Sequence, residues 1–285
     1  IVANTTSNII VNMPGATSLL DVAKVGNEYA ALFRFDNVFF RRGGFLVCGD
    51  LLHVGGTVDL AEDGRLTHFD ASVPFESRLE LRAGMLRLAT NGYVDVDGRG
   101  YLGGERPGNG GVNEGRTLAN QIGAAVRASG SFGGLGASDS GVAVSMSYGH
   151  VIRPAALGSG GGRGSDDNWP GGDGGGWAHL VATTAIVDGV ISADGLPGPG
   201  AQAGSGSGGT VFLEAGHIEG AGAIHANGGA GQLGGGGGRV SIHYGTLGGA
   251  ARDFDGLRNI AAFGGHPGAW GSAGTVLLKQ SAQSF

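Results

Sequence analysis

Alternation of apolar and polar residues is the main pattern in the first hundred residues of the chain. Apolar side chains at positions i and i+2 enclose polar ones in short segments at 33–40, 56–60, 78–81, 85–88 and 93–96. This two-residue period is typical of β-strands that turn one face to a core. Turn dipeptides such as Asp63-Gly64 separate the segments. The chain is therefore predicted to be mostly β, and the one candidate helix, 117–127, is short and carries Gly123 in its middle.

Two short sequence units recur in the last hundred residues. The first unit has a central isoleucine and occurs at 189–195, 222–228 and 258–264, and its isoleucines are 33 and 36 residues apart. The second unit starts with glycine and occurs at 209–213, 238–242 and 274–278, with a degenerate copy at 176–180. Segment 93–98 resembles the first unit, which extends the pattern toward the N-terminal part.

A repeat of this length favours stacking of successive copies. A strand–loop–strand unit cannot bury its own apolar face, whereas stacked units form parallel ladders around a continuous core. Crossovers between parallel strands are right-handed in nearly all proteins. We therefore predict an all-β, right-handed parallel β-helix (solenoid). It would form one domain over 1–285, with strand-rich coils in 1–100 and glycine-rich repeat coils in 101–285.

Glycine makes up 63 of the 285 residues and is concentrated between the repeated units, at 195–209, 228–238 and 264–274. Ordering such stretches costs much conformational entropy unless the missing Cβ is used. The stretches are either mobile and solvated, or packed with backbone N–H and C=O groups paired between segments. Packing is favoured because the stretches recur at matching places and carry less Ser, Thr and charge than mobile linkers.

Composition excludes several classes of protein. The apolar content of 41% is too high for a disordered chain, and only 8 prolines without a glycine triplet exclude collagen. With a net charge of −6 there is no basic surplus to neutralise phosphates, so nucleic acid is not expected as a partner, and no apolar run is long enough for a membrane-spanning helix. The single cysteine, Cys48, excludes an internal disulfide and is predicted to be a small buried residue.

Four strings resemble segments of large glycine-rich surface proteins of bacteria, myxobacterial types among them. The strings are GYVDVDGRGYLGG at 92–104, LGSGGG at 157–162, VDGVISADG at 187–195 and GGGGGRVSI at 234–242, and the similarity extends over about residues 50–280. Those proteins carry predicted β-helical, adhesin-like segments. The resemblance implies a structural module that is extracellular or lies at the cell surface, and it supplies no catalytic residues. The composition also shows a looser similarity to phage tail-tip adhesins built from stacked polyglycine helices.

Aromatic residues near the glycine stretches are the first candidates for a binding surface. An aromatic ring there either packs against glycine Cα atoms or joins a row of exposed rings that contacts a sugar or a protein. The candidates for carbohydrate or partner binding are Trp169, Trp177, Trp270, Tyr101 and Tyr148, and Phe132 and Phe263 are similarly placed.

Two groups of residues are candidates for metal binding. Segment 161–168, with Asp166 and Asp167, resembles one copy of a calcium-binding nonapeptide, although such sites need tandem copies, and a solvated acidic loop is the alternative. His225 and His243 lie in adjacent predicted strands and could meet on one face, but zinc needs three or four ligands. No other cofactor is predicted.

An enzyme that cleaves polysaccharides is the main alternative to a structural protein. Paired carboxylates could serve a hydrolase, and Asp95 and Asp97 at i and i+2 are such a pair, unless they merely flank a turn. Further clusters are Arg163 with Asp166 and Asp167, and His150 with Arg153 and Tyr148.

No catalytic string of a known family is present, so the predicted function is a non-catalytic extracellular structural or adhesive module. It would form filaments if its end coils are uncapped. The alternatives are a polysaccharide lyase or hydrolase, and a carbohydrate- or receptor-binding adhesin tip. The expected partners are further copies of the chain or a cell-surface glycan.

Overall fold

The described part of the chain is nearly all β. The structure is a computed structural model and describes residues 2–3, 8–11, 17–20, 34–49, 51–165, 169–200, 202–248 and 259–281. The strands up to the middle of the chain are β1 (Val2–Ala3), β2 (Asn8–Val11), β3 (Thr17–Leu20), β4 (Arg34–Phe35), β5 (Asn37–Phe40), β6 (Phe45–Cys48), β7 (Leu52–Leu60), β8 (Arg65–Thr67), β9 (Leu79–Leu88) and β10 (Tyr93–Asp95). They are followed by β11 (Arg116–Thr117), β12 (Gln121–Ile122), β13 (Trp177–Val187), β14 (Val190–Ser192), β15 (Thr210–Glu219), β16 (Ala223–His225), β17 (Arg239–Leu247), β18 (Ile260–Ala261) and β19 (Thr275–Gln280).

The helix predicted at 117–127 is wrong. This region forms the antiparallel pair β11–β12, joined by a single 3-10 turn at Leu118–Asn120. Leu118 and Ile122, its large apolar side chains, are both exposed. Without an apolar face to bury, a short helix has little to stabilise it. Among the described residues, no helix has the length and apolar character needed to cross a bilayer.

Two sheets, largely parallel, make up the fold. The large sheet has the order β1-β2-β5-β7-β9-β13-β15-β17-β19, with β4 also paired to β7, and the small sheet has the order β18-β16-β14-β10-β8-β6-β3. All neighbours in these sheets are parallel except β1 and β2. From β6 to β19, leaving out β11 and β12, successive strands alternate between the two sheets. The prediction of an all-β fold with parallel sheets is confirmed.

The sequence repeats set the register of both sheets. In the small sheet the row Leu46, Leu66, Val94, Ile191, Ile224 and Ile260 runs in register through six strands. In the large sheet the corresponding row is Leu52, Leu81, Leu180, Leu213, Ile242 and Leu278. Except for Leu278, these side chains lie in one continuous core between the sheets, which also buries Cys48. Alternation along each strand therefore places every second residue in the core.

The glycine stretches are packed, which is the alternative favoured from the sequence. Segment 204–209 shows the arrangement: its amides donate in turn to three neighbouring segments. Gly204 and Ser207 donate to Gly162 and Ser159, Ser205 and Gly208 to Leu233 and Gly236, and Gly206 and Gly209 to Leu196 and Ala193, all at 2.7–3.2 Å. The direction of the bonds thus repeats every three residues. Three residues per turn is the period of an extended polyproline II-type helix, which has no internal hydrogen bonds.

The absence of side chains allows the glycine segments to lie close to one another. A Cβ added to Gly158 would lie 2.5 Å from the Gly208 oxygen, and one added to Gly236 would lie 2.2 Å from the Gly134 oxygen. Both contacts are shorter than any real Cβ contact. Serine hydroxyls fit at a few positions, where they bond to the backbone; Ser159 Oγ, for example, donates to the Ser131 oxygen over 2.8 Å. The glycine segments therefore form a backbone lattice that continues the two sheets.

Candidate functional site

A cleft of about 650 Å³ lies where the chain leaves the small sheet and enters the glycine lattice. Its walls come from segments that follow three successive strands of that sheet: 194–195 after β14, 227–230 after β16 and 263–266 after β18. The segment 270–273, which leads into β19, closes the other side. Parallel register therefore brings equivalent positions of three repeats into one cavity.

A ladder of Asx side chains forms one wall of the cleft. The sequences Val96-Asp97-Gly98, Ala193-Asp194-Gly195 and Ala226-Asn227-Gly228 occupy equivalent positions. Each Oδ1 atom accepts the backbone N–H of the next copy: Asp97 from Asp194 over 2.6 Å, Asp194 from Asn227 over 2.6 Å, and Asn227 from Phe263 over 2.8 Å. These bonds satisfy the amides of Asp194, Asn227 and Phe263, which follow β14, β16 and β18 of the small sheet.

The ladder ends at an aromatic residue. The fourth copy reads Ala262-Phe263-Gly264, so a phenyl ring stands where the earlier copies carry Asp or Asn. Phe263 is 63% exposed and Trp270 is 77% exposed. The ring of His266 stacks on the Trp270 indole, with 5.5 Å between the centroids. Two large apolar rings and an imidazole thus border one concave surface.

Carboxylates next to this wall interact strongly. The pKa of Asp97 is raised from 3.8 to about 6, first by burial and then by the nearby charges of Asp194 and Asp95. His225 Nδ1 lies 2.9 Å from Asp194 Oδ1. Burial on its own lowers the pKa of His225, but this hydrogen bond and the surrounding carboxylates outweigh it, so the pKa is raised. The polar wall of the cleft therefore presents Asp194 held by an imidazole and by the Asn227 amide.

The arrangement is suited to binding a small polar ligand with an apolar face. Binding sites for small molecules are concave and mostly apolar, with a few placed polar groups, and their usual volume is about 300–1,000 Å³. Exposed aromatic rings can pack on the C–H face of a sugar, while carboxylate and amide oxygens accept its hydroxyl protons. Within the described ranges, no group of three or more His, Cys, Asp or Glu side chains is placed to hold a metal ion.

The five aromatic residues predicted as a binding surface do not lie together. Trp270 lines the cleft, but Tyr101 and Trp177 are 0% and 5% exposed, so these two rings cannot join an exposed row. Tyr101 donates its hydroxyl to Glu76 Oε1 over 2.7 Å, and the Trp177 indole N–H donates to the Pro154 oxygen over 3.1 Å. The polar atoms of both rings have partners inside the protein, which allows them to be buried.

Tyr148 and Trp169 show the packed alternative. Tyr148 is half-buried, its ring contacts Phe132 at 4.8 Å between centroids, and its hydroxyl donates to the Leu157 oxygen over 2.7 Å. Trp169 covers Gly200 so closely that a Cβ there would lie 1.9 Å from the indole. Trp169 therefore fills space that Gly200 leaves open, and Tyr148 packs against another aromatic ring.

The predicted meeting of His225 and His243 is wrong, because the two strands belong to different sheets. His225 is in β16 of the small sheet, and His243 is in β17 of the large sheet. Asp166 and Asp167, the calcium candidates, lie outside the described residues.

The other clusters considered for catalysis have structural partners. Asp95 forms an ion pair with Arg65, and its Oδ1 accepts the Asp97 N–H over 3.0 Å. His150 Nδ1 accepts the N–H groups of Ile152 and Arg153 over 3.2 and 3.3 Å, which fixes a local turn.

Asp194, Asn227 and His266 line the cleft but were not predicted from the sequence as site residues. A signal was present: the residue between Ala and Gly changes from Asp to Asn to Phe in successive copies of the isoleucine unit.

Comparison with protein-family models, with curated proteins and with solved structures gave no match.

Proposed function

We propose that the chain is a non-catalytic extracellular structural and adhesive module, built as a right-handed parallel β-solenoid, whose aromatic cleft binds a glycan. The observation that carries this proposal is the cleft itself, in which the exposed rings of Phe263 and Trp270 line the same cavity as Asp194 and Asn227. Large rings left in water inside a concavity are costly unless a ligand covers them, so such patches usually mark binding sites.

Rigidity supports the adhesive part of the proposal. The walls of the cleft are held by the Asx ladder and by glycine segments whose amides are paired, such as Gly228 to Phe263 and Gly265 to Gly235, both at 2.8 Å. A pre-formed site loses little entropy on binding. The resemblance to bacterial surface proteins agrees with an extracellular role.

Isothermal titration calorimetry of the protein with a panel of neutral oligosaccharides tests the proposal. We expect saturable binding without release of new reducing ends, and a loss of about tenfold or more in affinity for Trp270→Ala. Met146→Ala is the matched control, because Met146 is highly exposed and does not line the cleft. An absence of binding across the panel, or full affinity in Trp270→Ala, would refute glycan binding at this cleft.

Self-assembly into filaments is a second candidate function, and the exposure of β19 favours it. Val276 and Leu278 lie in register with the buried Val240 and Ile242, yet each is more than 40% exposed. In the part of the chain that the structure describes, β19 pairs on one side only. An open strand edge with exposed apolar side chains invites pairing with a further copy. Sedimentation velocity over a range of concentrations, with electron microscopy of the largest species, would reveal such assembly.

A further inference from the structure

A second concave region lies on the outer face of the large sheet, away from the aromatic cleft. It has a volume of about 380 Å³ and is bordered by β13, β15, β17 and β19 and by the chain segment 148–157, named here the strap. Arg153 of the strap, Glu214, His243, Lys279 and Ser281 contribute its polar groups. We call it the charged groove.

Hydrogen bonds from three neighbouring strands hold the strap against the sheet. The Trp177 indole N–H donates to the Pro154 oxygen, Thr210 Oγ1 to the Ala156 oxygen, and Ser241 Oγ to the Ile152 oxygen, at 3.1, 2.7 and 2.9 Å. Arg153 lies between two of the anchored carbonyls. Its backbone is therefore fixed at the rim of the groove.

Register sets the order of charges along the floor. Val181, Glu214, His243 and Lys279 pair in turn across four strands. Neighbouring strands are about 4.8 Å apart, so an acidic, an imidazole and a basic side chain follow one another at that spacing. Glu214 and Lys279 thus lie on either side of His243.

Glu214 is positioned by two imidazoles. Its Oε1 lies 2.9 Å from His179 Nε2, and its Oε2 lies 3.7 Å from His243 Nδ1. The Phe212 ring stacks on His179 at 4.6 Å and meets His243 edge-on at 5.1 Å, which keeps the two imidazoles apart. Glu214 therefore presents a fixed hydrogen-bond acceptor to the groove.

Positive charge exceeds negative charge among the polar groups of the groove. The pKa of His243 is lowered, first by burial and also by Lys279 and Arg153, with Glu214 acting in the opposite direction. Near neutral pH the imidazole is then uncharged, so the charged side chains that line the groove are Arg153, Lys279 and Glu214. Cations facing a single carboxylate match a ligand that carries one negative charge and hydroxyl donors.

We propose that the charged groove binds a single sugar-acid unit, a hydroxylated ring with one carboxylate. The carboxylate would lie between Arg153 and Lys279, and a ring hydroxyl would donate to Glu214. The volume of the groove fits one such unit. This site is separate from the aromatic cleft and does not depend on glycan binding there.

NMR titration of the isotope-labelled protein with D-glucuronate, D-glucose, acetate and sulfate tests the proposal. We expect saturable shifts at the amides of Glu214, His243 and Lys279 with glucuronate at millimolar concentrations, and none with glucose. Arg153→Met should weaken glucuronate binding about tenfold or more, because a bond to a charged group is lost. Arg42→Met, which removes an exposed charge in the turn after β5, is the control and should have no effect.

A second variant separates hydroxyl recognition from simple attraction of anions. Glu214→Gln should weaken glucuronate binding while leaving acetate binding equal or stronger, since it removes a negative charge and the best hydroxyl acceptor. No glucuronate binding, equal effects of glucose, equal affinity for sulfate and glucuronate, or unchanged affinity in Arg153→Met would each overturn the proposal. Circular dichroism of both variants confirms that they are folded.

Discussion

Glycine acts as a packing residue in this protein. At Gly236 the backbone lies so close to the neighbouring segment that a Cβ would meet the carbonyl of Gly134 at 2.2 Å. The Gly236 N–H donates to the Gly130 oxygen over 3.0 Å, so the close approach also satisfies the backbone. Backbone atoms cannot give way as a flexible side chain can, and a substitution must push the segments apart.

Gly236→Ala should therefore destabilise the protein by about 2–4 kcal/mol. Gly110→Ala is the matched control: a Cβ at Gly110 has no atom within 4 Å. That variant should stay within about 0.5 kcal/mol of the parent protein. Urea denaturation of the three proteins measures the difference, and equal midpoints for both variants would contradict packed glycine segments.

Titrating groups inside the fold affect stability in opposite directions. Asp97 has a raised pKa, so its protonated form stabilises the fold. This contribution is fully present below pH 3.8 and is lost as the pH rises through about 6. His68 is fully buried, its Nε2 accepts the Trp177 N–H over 3.2 Å, and burial lowers its pKa from 6.5 to about 3. The contribution of the neutral His68 imidazole to stability is fully present above pH 6.5 and is lost as the pH falls toward about 3. The two effects offset each other in the unmodified protein.

Asp97→Asn isolates the carboxylate, because asparagine keeps an Oδ1 acceptor for the Asp194 N–H. Above the raised pKa the variant should be more stable than the parent by about 3 kcal/mol, since it carries no buried charge beside Asp194 and Asp95. The gain should shrink as the pH falls and vanish below pH 3.8, where Asp97 is protonated in the folded protein and becomes mostly protonated in the unfolded chain as well. Urea midpoints across this range test the prediction. A gain that does not depend on pH, or a loss of stability above the raised pKa, would show that Asp97 is not destabilised by its charge.

At the scale of elements, the repeated units predicted the strands well because each unit places one large aliphatic side chain in the core. Ile191, Ile224 and Ile260 occur at matching places in the sequence, and the structure pairs them in register. The sequence predicted that like units stack, but it did not show that the two kinds of unit belong to different sheets. Successive strands alternate between two sheets, so His225 and His243 are close in sequence but lie in different sheets.

The site was predictable only in part, for a related reason. Exposure of Trp270 and burial of Trp177 depend on which segments cover each ring, and both tryptophans look alike in sequence, next to glycine. The strap that covers Trp177 comes from residues before β13 and crosses the outer face of the sheet. No period in the sequence marks such a crossing.

Side chains at equivalent positions of β17 and β19 differ sharply in how deeply they are buried. Val240 is 1% exposed and Val276, its partner in register, is 42% exposed. Val240→Ala should cost about 2 kcal/mol, and Val276→Ala less than about 1 kcal/mol, at low protein concentration. Thermal unfolding of the two variants provides the comparison. An equal cost at high concentration would indicate that a further copy covers β19, whereas an equal cost at high dilution would contradict the exposed edge.

The whole molecule combines two kinds of backbone structure. Parallel sheets bury aliphatic side chains, and the glycine lattice beside them buries backbone with almost no side chains. Both are satisfied by hydrogen bonds between segments, and together they position the aromatic cleft where the Asx ladder ends in Phe263. The central claim is that the glycine segments are ordered as firmly as the strands.

Amide hydrogen exchange, followed by NMR, tests this claim most directly. The amides of Gly158, Gly175, Gly204 and Gly236 all donate to backbone oxygens in the lattice, at 2.9–3.0 Å. We expect them to exchange as slowly as the core amides of Leu180 and Leu213, and the amide of Gly110, an exposed residue, to exchange fast. Exchange of the four lattice glycines at the rate of Gly110 would show that the glycine segments are mobile connections and would contradict the account.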